Sequence, residues 1–234
     1  MITSQTATTA LIADLHNVFG DRLRSVVAYG PHLDGTTNAP LTCLALVDSL
    51  SAGDLEACAR SATRWHRGGL ATPLMLTTTE FRSSLDAFPL EYGEIIRAHA
   101  RVYGPDPFDG VTIAPDDERR ACETQIKSHL LHLREGFLEA AGDPTAVAGL
   151  VARSVPAFTA LLRHVAWLNG AAVAGRVDAA REGAREAGLD EGLVGDLLAL
   201  EQRSGVPASD PARLFPQYLA AVEQLARAID AWRF

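Results

Sequence analysis

The stretch of this sequence best suited to chemistry is residues 25–48, SVVAYGPHLDGTTNAPLTCLALVD. Two apolar runs flank a loop that is rich in Gly, Pro, Asn and Thr. Gly30 stands where the first run ends, and a glycine at such a place lets a phosphate group approach the backbone. Pro31 and His32 follow it. His32 is a candidate phosphate contact, although a histidine that belongs to the turn alone is the favoured interpretation.

One carboxylate and two histidines elsewhere are further candidates. Glu91 follows a predicted strand and a short helix, near the expected opening of a cleft, but a first-turn carboxylate favoured by the helix dipole is the simpler explanation. His129 and His132 are three residues apart on one predicted helix, close enough to share a metal. No third ligand is evident, so the sequence favours an ordinary role for both.

These candidates depend on a first half that alternates strands and helices. Apolar spacing predicts a helix over 8–19, and Ser51 caps a helix that runs to about Arg67. Short runs rich in β-branched or apolar residues predict four strands at 25–30, 41–47, 72–77 and 101–104. Two short helical segments, separated by Pro89, lie before the last strand.

After residue 114 the strand signals end and helical patterns replace them. Helices are predicted at 115–141, from Asp143-Pro144 to about 170, at 175–187, at 190–203 and from Asp210-Pro211 onward. The sequence therefore predicts an α+β protein with two domains. Residues 1–113 form a mixed sheet flanked by helices, and residues 114–234 form an all-α helical bundle.

Composition narrows the classes of function. The chain of 234 residues carries a net charge of -8 with a pI near 5.3, which argues against a general nucleic-acid binder. Its three widely spaced cysteines show no metal-ligand pattern and favour a reducing compartment. No apolar run approaches the ~20 residues that span a bilayer, and the first residues lack the basic start of a signal peptide. We expect a cytoplasmic protein with no membrane association.

The order helix, strand, glycine turn, strand, helix, strand resembles the minimal nucleotidyltransferase fold of the polymerase-beta-like superfamily. The segment VVAYGP (26–31) matches the family's Gly-Ser strand, and LTCLALV (41–47) matches its acidic strand. The segment RVYGPD (101–106), which contains Tyr103, resembles a Leu-Tyr-Gly segment found in several members. The helical half is similar to the HEPN-type bundles that commonly follow such domains.

The resemblance implies a two-metal active site, because the family's Asp-x-Asp strand and a third carboxylate hold two divalent ions ~3.5–4 Å apart. In the favoured alignment the two Asp positions are Leu41 and Cys43, and the Ser position is Pro31. The third carboxylate is expected near residues 74–76, which contain no acid. Neither a leucine nor a thiol suits a hard cation. We therefore predict a degenerate active site with no catalytic residue, no magnesium site and no other cofactor.

A vestigial ligand-binding cleft is predicted from the same resemblance, and its residues are Gly30, Pro31, His32, Leu41, Cys43, Glu91 and Tyr103. The first hypothesis is a protein that has lost nucleotidyl transfer and binds a nucleotide or small anionic ligand, or a protein partner. That partner would be a different protein or a second copy bound through the helical domain.

Two alternatives stay open. The second hypothesis is an active nucleotidyltransferase whose acidic site is relocated to Asp34, Asp48, Asp86 or Glu91, with at least two carboxylates facing one cleft. The third is a structural or assembly role, as one half of a two-component, toxin–antitoxin-like pair. The third rests on analogy, since minimal nucleotidyltransferases and HEPN-like domains commonly occur in such pairs.

Overall fold

A computed structural model describes residues 4–34, 39–173, 175–202 and 211–232 of the chain. Contacts divide the chain into two compact units, Met1–Ile113 and Ala114–Phe234. The first contains a mixed sheet with flanking helices and the second is helical. The predicted α+β class is confirmed.

The first unit is built on a four-stranded sheet. Its elements are α1 (Ser4–Phe19), β1 (Leu23–Tyr29), β2 (Thr42–Val47), α2 (Ala52–Arg67), β3 (Leu74–Thr77), α3 (Thr78–Ser83), α4 (Pro89–Arg97) and β4 (His99–Tyr103). The strand order is β3-β2-β1-β4. β1 pairs antiparallel with β2 and β4, whereas β2 pairs parallel with β3. The parallel pair is connected by α2, as such a crossover requires.

The two faces of this sheet pack against different helices. On the α1–α2 face, Val26 and Cys43 of the sheet join Leu11, Leu15 and Trp65 in one buried cluster. On the α3–α4 face, a second cluster contains Val27, Leu44, Leu46, Phe81, Tyr92, Ile95 and Phe108. Alternation along each strand sends neighbouring side chains to opposite faces. Both faces of the central strands are therefore covered.

The start of α2 shows how local sequence sets an element. The Ser51 hydroxyl accepts a hydrogen bond from the Asp54 amide, and the Asp54 carboxylate accepts one from the Ser51 amide, which makes a capping box. Arg22 donates to both carboxylate oxygens of Asp54. These bonds hold the pKa of Asp54 far below its usual range, with the Arg22 guanidinium as the largest cause.

The second unit consists of α5 (Pro115–Glu139), α6 (Pro144–Leu168), α7 (Arg176–Glu186), α8 (Glu191–Gln202) and α9 (Pro211–Ala231). α6 packs against each of the other four helices. Among the described helices, α6 alone has the length and mean hydropathy, 1.5, of a membrane span. Four helices contact it, and its residues 161–166 are all buried, as in the core helix of a bundle.

Candidate functional site

The turn after β1 brings Gly30 against the first residue of β2. The Thr42 hydroxyl donates a hydrogen bond to the carbonyl oxygen of Tyr29 across 2.5 Å. Gly30 has a φ of +88°, and a Cβ there would lie 2.9 Å from the Thr42 hydroxyl oxygen. Only glycine combines this backbone conformation with so little space. The tight glycine turn that the sequence predicts is therefore part of the structure.

The residues after Gly30 form a short 3-10 turn, Pro31–Asp34. His32 Nδ1 lies 3.0 Å from the carbonyl oxygen of Ala39, so the ring ties the turn to the chain that enters β2. This contact is what the turn-histidine interpretation predicts. Residues 35–38 and the side chain of Asp34, a candidate of the second hypothesis, lie outside the described part of the chain.

Leu41 and Cys43 lie in the core and not in a surface cleft. Leu41 is 4% exposed and Cys43 is 1% exposed, both within the cluster on the α1–α2 face. Burial raises the pKa of the Cys43 thiol to about 12. The prediction that these two side chains line a cleft is wrong, since both are buried. The reason is that α1 and α2 cover the face toward which both residues point.

The opposite side of β2 presents Thr42, Leu44 and Leu46 to the α3–α4 face. Leu44 is completely buried there, and its Cα partner on β3 is Leu74. Aromatic and aliphatic side chains of α3, α4 and the segment after β4 fill the space above Leu44. Whichever face is considered, β2 from Thr42 to Val47 carries no carboxylate.

Glu91 and Tyr103, the last two predicted cleft residues, lie apart from the turn. Glu91 is exposed in the first turn of α4, two residues after the proline that opens that helix. Tyr103 packs against the α1–α2 cluster, and its ring makes an edge contact with the His16 ring at 4.8 Å. The structure therefore groups Gly30, Pro31 and His32 in one turn and places the other four predicted residues elsewhere.

Sequence reasoning missed a row of polar residues beside the glycine turn. Tyr29 has Thr42 as its Cα partner on β2 and His99 as its partner on β4. Directly paired residues share a face with their Cβ atoms ~5 Å apart, so the three side chains are neighbours at one end of the α3–α4 face. Nothing in their spacing along the chain indicates this, because pairing across strands decides it.

His99 connects this row to the segment after β4. Its Nδ1 lies 3.1 Å from the carbonyl oxygens of Ile95 and Ile96, and its Nε2 lies 3.2 Å from Asp106 Oδ2. The other oxygen of Asp106 accepts a hydrogen bond from the Phe108 amide at 2.9 Å. That bond is the main reason why the pKa of Asp106 is lowered, with a smaller contribution from His99.

The helical unit contains two buried polar pairs that sequence reasoning also missed. His164 Nδ1 lies 2.6 Å from Glu118 Oε1, and both side chains are 2% exposed. His129 Nε2 lies 2.8 Å from the Tyr218 hydroxyl. Burial lowers the pKa of His129 to about 4 and raises the pKa of Tyr218 well above its usual range. Polar residues within the apolar run of α6, such as His164, were the available signal.

A solved structure shares this fold: spectinomycin adenyltransferase from Enterococcus faecialis, determined with ATP and spectinomycin. The two chains match with a TM-score of 0.59 at 12% sequence identity, over 95% of this chain and 99% of that chain. No family model matches the sequence, and no curated protein matches it. At this identity the likeness shows the fold. The chain has a nucleotidyltransferase-like fold.

The side chains on β2 and β3 of this nucleotidyltransferase-like fold do not fit a pair of magnesium ions. β2 and β3 offer only Thr42 and Thr77 as oxygen-bearing side chains, whereas a hard divalent cation needs several oxygen ligands and favours carboxylates. The Thr42 hydroxyl already binds a carbonyl oxygen. Within the described ranges, no three His, Cys, Asp or Glu side chains are grouped so that they could hold a metal ion.

Asp48, Asp86 and Glu91, three carboxylates of the second hypothesis, have different surroundings. Asp48, directly after β2, accepts hydrogen bonds from Arg24 Nε at 2.6 Å and from Arg24 Nη2 at 2.5 Å. This bidentate pair lowers the pKa of Asp48. Asp86 is exposed in the link between α3 and α4, and Glu91 is exposed on α4.

Proposed function

We propose that this protein has lost metal-dependent nucleotidyl transfer and acts by binding. The observation that supports the proposal is the composition of β2 and β3. The segments Thr42–Val47 and Leu74–Thr77 carry no carboxylate on either face. Without carboxylates on these two strands, a pair of divalent ions would lack the strand ligands that the family uses, and the charge that develops on a transferring phosphoryl group would not be neutralised by metal.

Packing supports the same proposal. An active site of this type keeps an open space above the acidic strand for the metals and the phosphates. Here Leu44 is buried beneath the aromatic cluster that includes Phe81 and Tyr92. An apolar core in this place stabilises the unit and leaves no polar ligand for a cation.

A transfer assay tests the proposed loss. Because the solved neighbour is an adenyltransferase determined with ATP and spectinomycin, those two compounds are the first probes. The full chain is incubated with ATP, spectinomycin and either magnesium or manganese, and products are identified by mass spectrometry. We expect no adenylylated spectinomycin and no release of pyrophosphate.

The matched positive control is the Enterococcus faecialis adenyltransferase under identical conditions. Formation of any nucleotidylated product by this chain, dependent on the divalent ion, would contradict the proposal. GTP, CTP and UTP are assayed in the same way, so that a changed nucleotide preference is not mistaken for inactivity.

The helical unit offers a second candidate function, binding of a protein partner. Leu131 and Leu138 on α5 are 59% and 77% exposed. They are seven residues apart, so they lie on one face of the helix. Light scattering coupled to size exclusion tests for a second copy on this face. A dimer that becomes monomeric on Leu131→Glu and Leu138→Glu substitution would support it, and a wild-type monomer would contradict self-association.

A further inference from the structure

The edge strand β4 carries a positively charged side chain, Arg101, close to the polar row of Tyr29, Thr42 and His99. Arg101 is two residues from His99 on β4, so both side chains lie on the α3–α4 face. Arg101 is the Cα partner of Val27 and is exposed. Arg101 is therefore the diagonal neighbour of Tyr29 on the adjacent strand. Diagonal neighbours of this kind lie ~7–8 Å apart.

Arg101 is available for an external ligand. Within the described ranges it makes no ion pair within 4.0 Å, in contrast to Arg22, Arg24 and Arg64, each of which is held by an aspartate. The Tyr29 hydroxyl likewise makes no hydrogen bond to a described residue, and its ring is half-buried. A guanidinium and a hydroxyl that are both uncommitted can donate to one anion.

The carboxylate of Asp106, on which the charge of Arg101 acts, is already engaged. Asp106 accepts from the Phe108 amide with one oxygen and lies against His99 with the other. The positive charge of Arg101 is a minor cause of the lowered pKa of Asp106, and the two side chains form no hydrogen bond. Asp106 therefore competes with an incoming anion for the charge of Arg101 but does not occupy its hydrogen-bond donors.

Charge supplied by side chains matters more where no metal can bind. A phosphate group that enters a protein without a divalent ion must be neutralised by arginine, lysine or oriented N–H groups. The net charge of -8 disfavours general attraction of polyanions, so any such site must be local. Tyr29, next to Gly30, and Arg101, opposite Val27, supply a local site of this kind.

We propose that the protein binds a phosphate-bearing ligand at this end of the α3–α4 face without a metal, with Arg101 and the Tyr29 hydroxyl as its donors. The proposal rests on the proposed function and extends it, because it assigns the ligand class and the residues. A nucleotide, pyrophosphate and inorganic phosphate all carry this chemistry.

Isothermal titration of the full chain in EDTA distinguishes these sources. ATP, pyrophosphate, inorganic phosphate and adenosine are the probes. We expect ATP or pyrophosphate to bind in the absence of any divalent ion and adenosine to bind more weakly than ATP. Adenosine that binds as tightly as ATP would overturn the proposal, because recognition would then be of the base. Failure of every phosphate-bearing probe to bind would overturn it too.

Variants assign the donors. Arg101→Gln is expected to weaken binding of the phosphate probe about 10- to 100-fold, since hydrogen bonds to charged groups are the strong ones. Tyr29→Phe is expected to weaken it several-fold. The matched control is Arg60→Gln, an exposed arginine on α2, which covers the opposite face; its affinity should equal that of the wild type.

Asp106→Asn gives the opposite prediction. The amide oxygen can still accept from Phe108, while the competing negative charge is removed, so phosphate binding should tighten several-fold.

Wild-type affinity in Arg101→Gln would overturn the assignment. Binding of ATP only with magnesium would overturn this proposal and contradict the proposed function as well. No transfer activity together with no phosphate binding would overturn this proposal alone.

Discussion

The imidazole of His164 and the carboxylate of Glu118 form a pair 2.6 Å apart inside the helical unit, with 2% of each side chain exposed. α5 carries a second His–Glu pair, His132 Nδ1 and Glu135 Oε2 at 3.2 Å, whose side chains are 76% and 69% exposed. The two pairs share their chemistry and differ in burial. They provide a matched test of what burial contributes.

Glu118→Gln is expected to destabilise the protein by about 1–3 kcal/mol. The reason is that the buried His164 ring would lose its charged partner, and water cannot reach the ring to replace it. Glu135→Gln is expected to leave stability unchanged, because its pair is exposed to solvent. Unfolding in guanidinium chloride, followed by circular dichroism, measures both. Equal effects of the two substitutions would show that the buried pair is not important for stability.

Close approach of two helices predicts a strong effect at Gly183. A Cβ added there on α7 would lie 1.8 Å from the carbonyl oxygen of Leu162 on α6. Gly183→Ala must therefore push α7 away from α6, and we expect a loss of about 2–3 kcal/mol or more from the packing that is disturbed. The midpoint of thermal unfolding measures this change.

Gly195 on α8 is the control for that substitution. A Cβ at Gly195 meets no atom within 4 Å, so Gly195→Ala should be neutral or should stabilise by up to about 1 kcal/mol through helix propensity. A Gly183→Ala protein that is as stable as Gly195→Ala would contradict the close packing of α6 and α7.

His129 predicts a specific dependence of stability on pH. Its pKa is about 4 in the folded protein because of burial, against ~6.5 when unfolded. As the pH falls below ~6.5, His129 therefore becomes protonated in the unfolded chain, whereas in the folded protein it stays neutral until the pH nears about 4. Stability should fall by about 3 kcal/mol across that window from this residue alone, and the contribution should stop changing below pH 4.

His129→Gln removes this contribution, so its free energy of unfolding should change less between pH 7 and pH 4 than that of the wild type. The charge of His132, three residues away, contributes a smaller part of the lowering of the His129 pKa than burial does, so His132→Gln should reduce the pH dependence much less than His129→Gln. Identical pH profiles for wild type and His129→Gln would contradict burial of a neutral ring.

The three free cysteines, Cys43, Cys58 and Cys122, are all buried. A Cys43 pKa of about 12 leaves roughly one thiolate in 10⁴ at pH 8, and the thiolate is the reactive form. We expect the native protein to react with a thiol reagent only slowly, and three thiols to react at once in denaturant. Rapid labelling of Cys43 in the native protein would contradict its place in the core beneath α1 and α2.

Much of the fold was predictable because its signals are local. Ser51 with Asp54 predicts the start of α2, and Asp143-Pro144 predicts the start of α6; both predictions are confirmed. Caps act over three or four residues, and apolar spacing repeats every two or 3.6 residues, so a short window of sequence contains them. The absence of carboxylates from β2 is likewise visible in the residues themselves.

The direction of each side chain depended on contacts between distant residues. Cys43 faces α1 and α2, and Leu44 faces α3 and α4, because strand pairing and helix packing oriented β2. The pairing of Tyr29 with His99, 70 positions later, is of the same kind. Amino-acid order alone established which elements form and that β2 carries no carboxylate. Only the folded chain decided which polar groups meet, since burial of apolar surface selects one strand register and one covered face from several that local preferences allow.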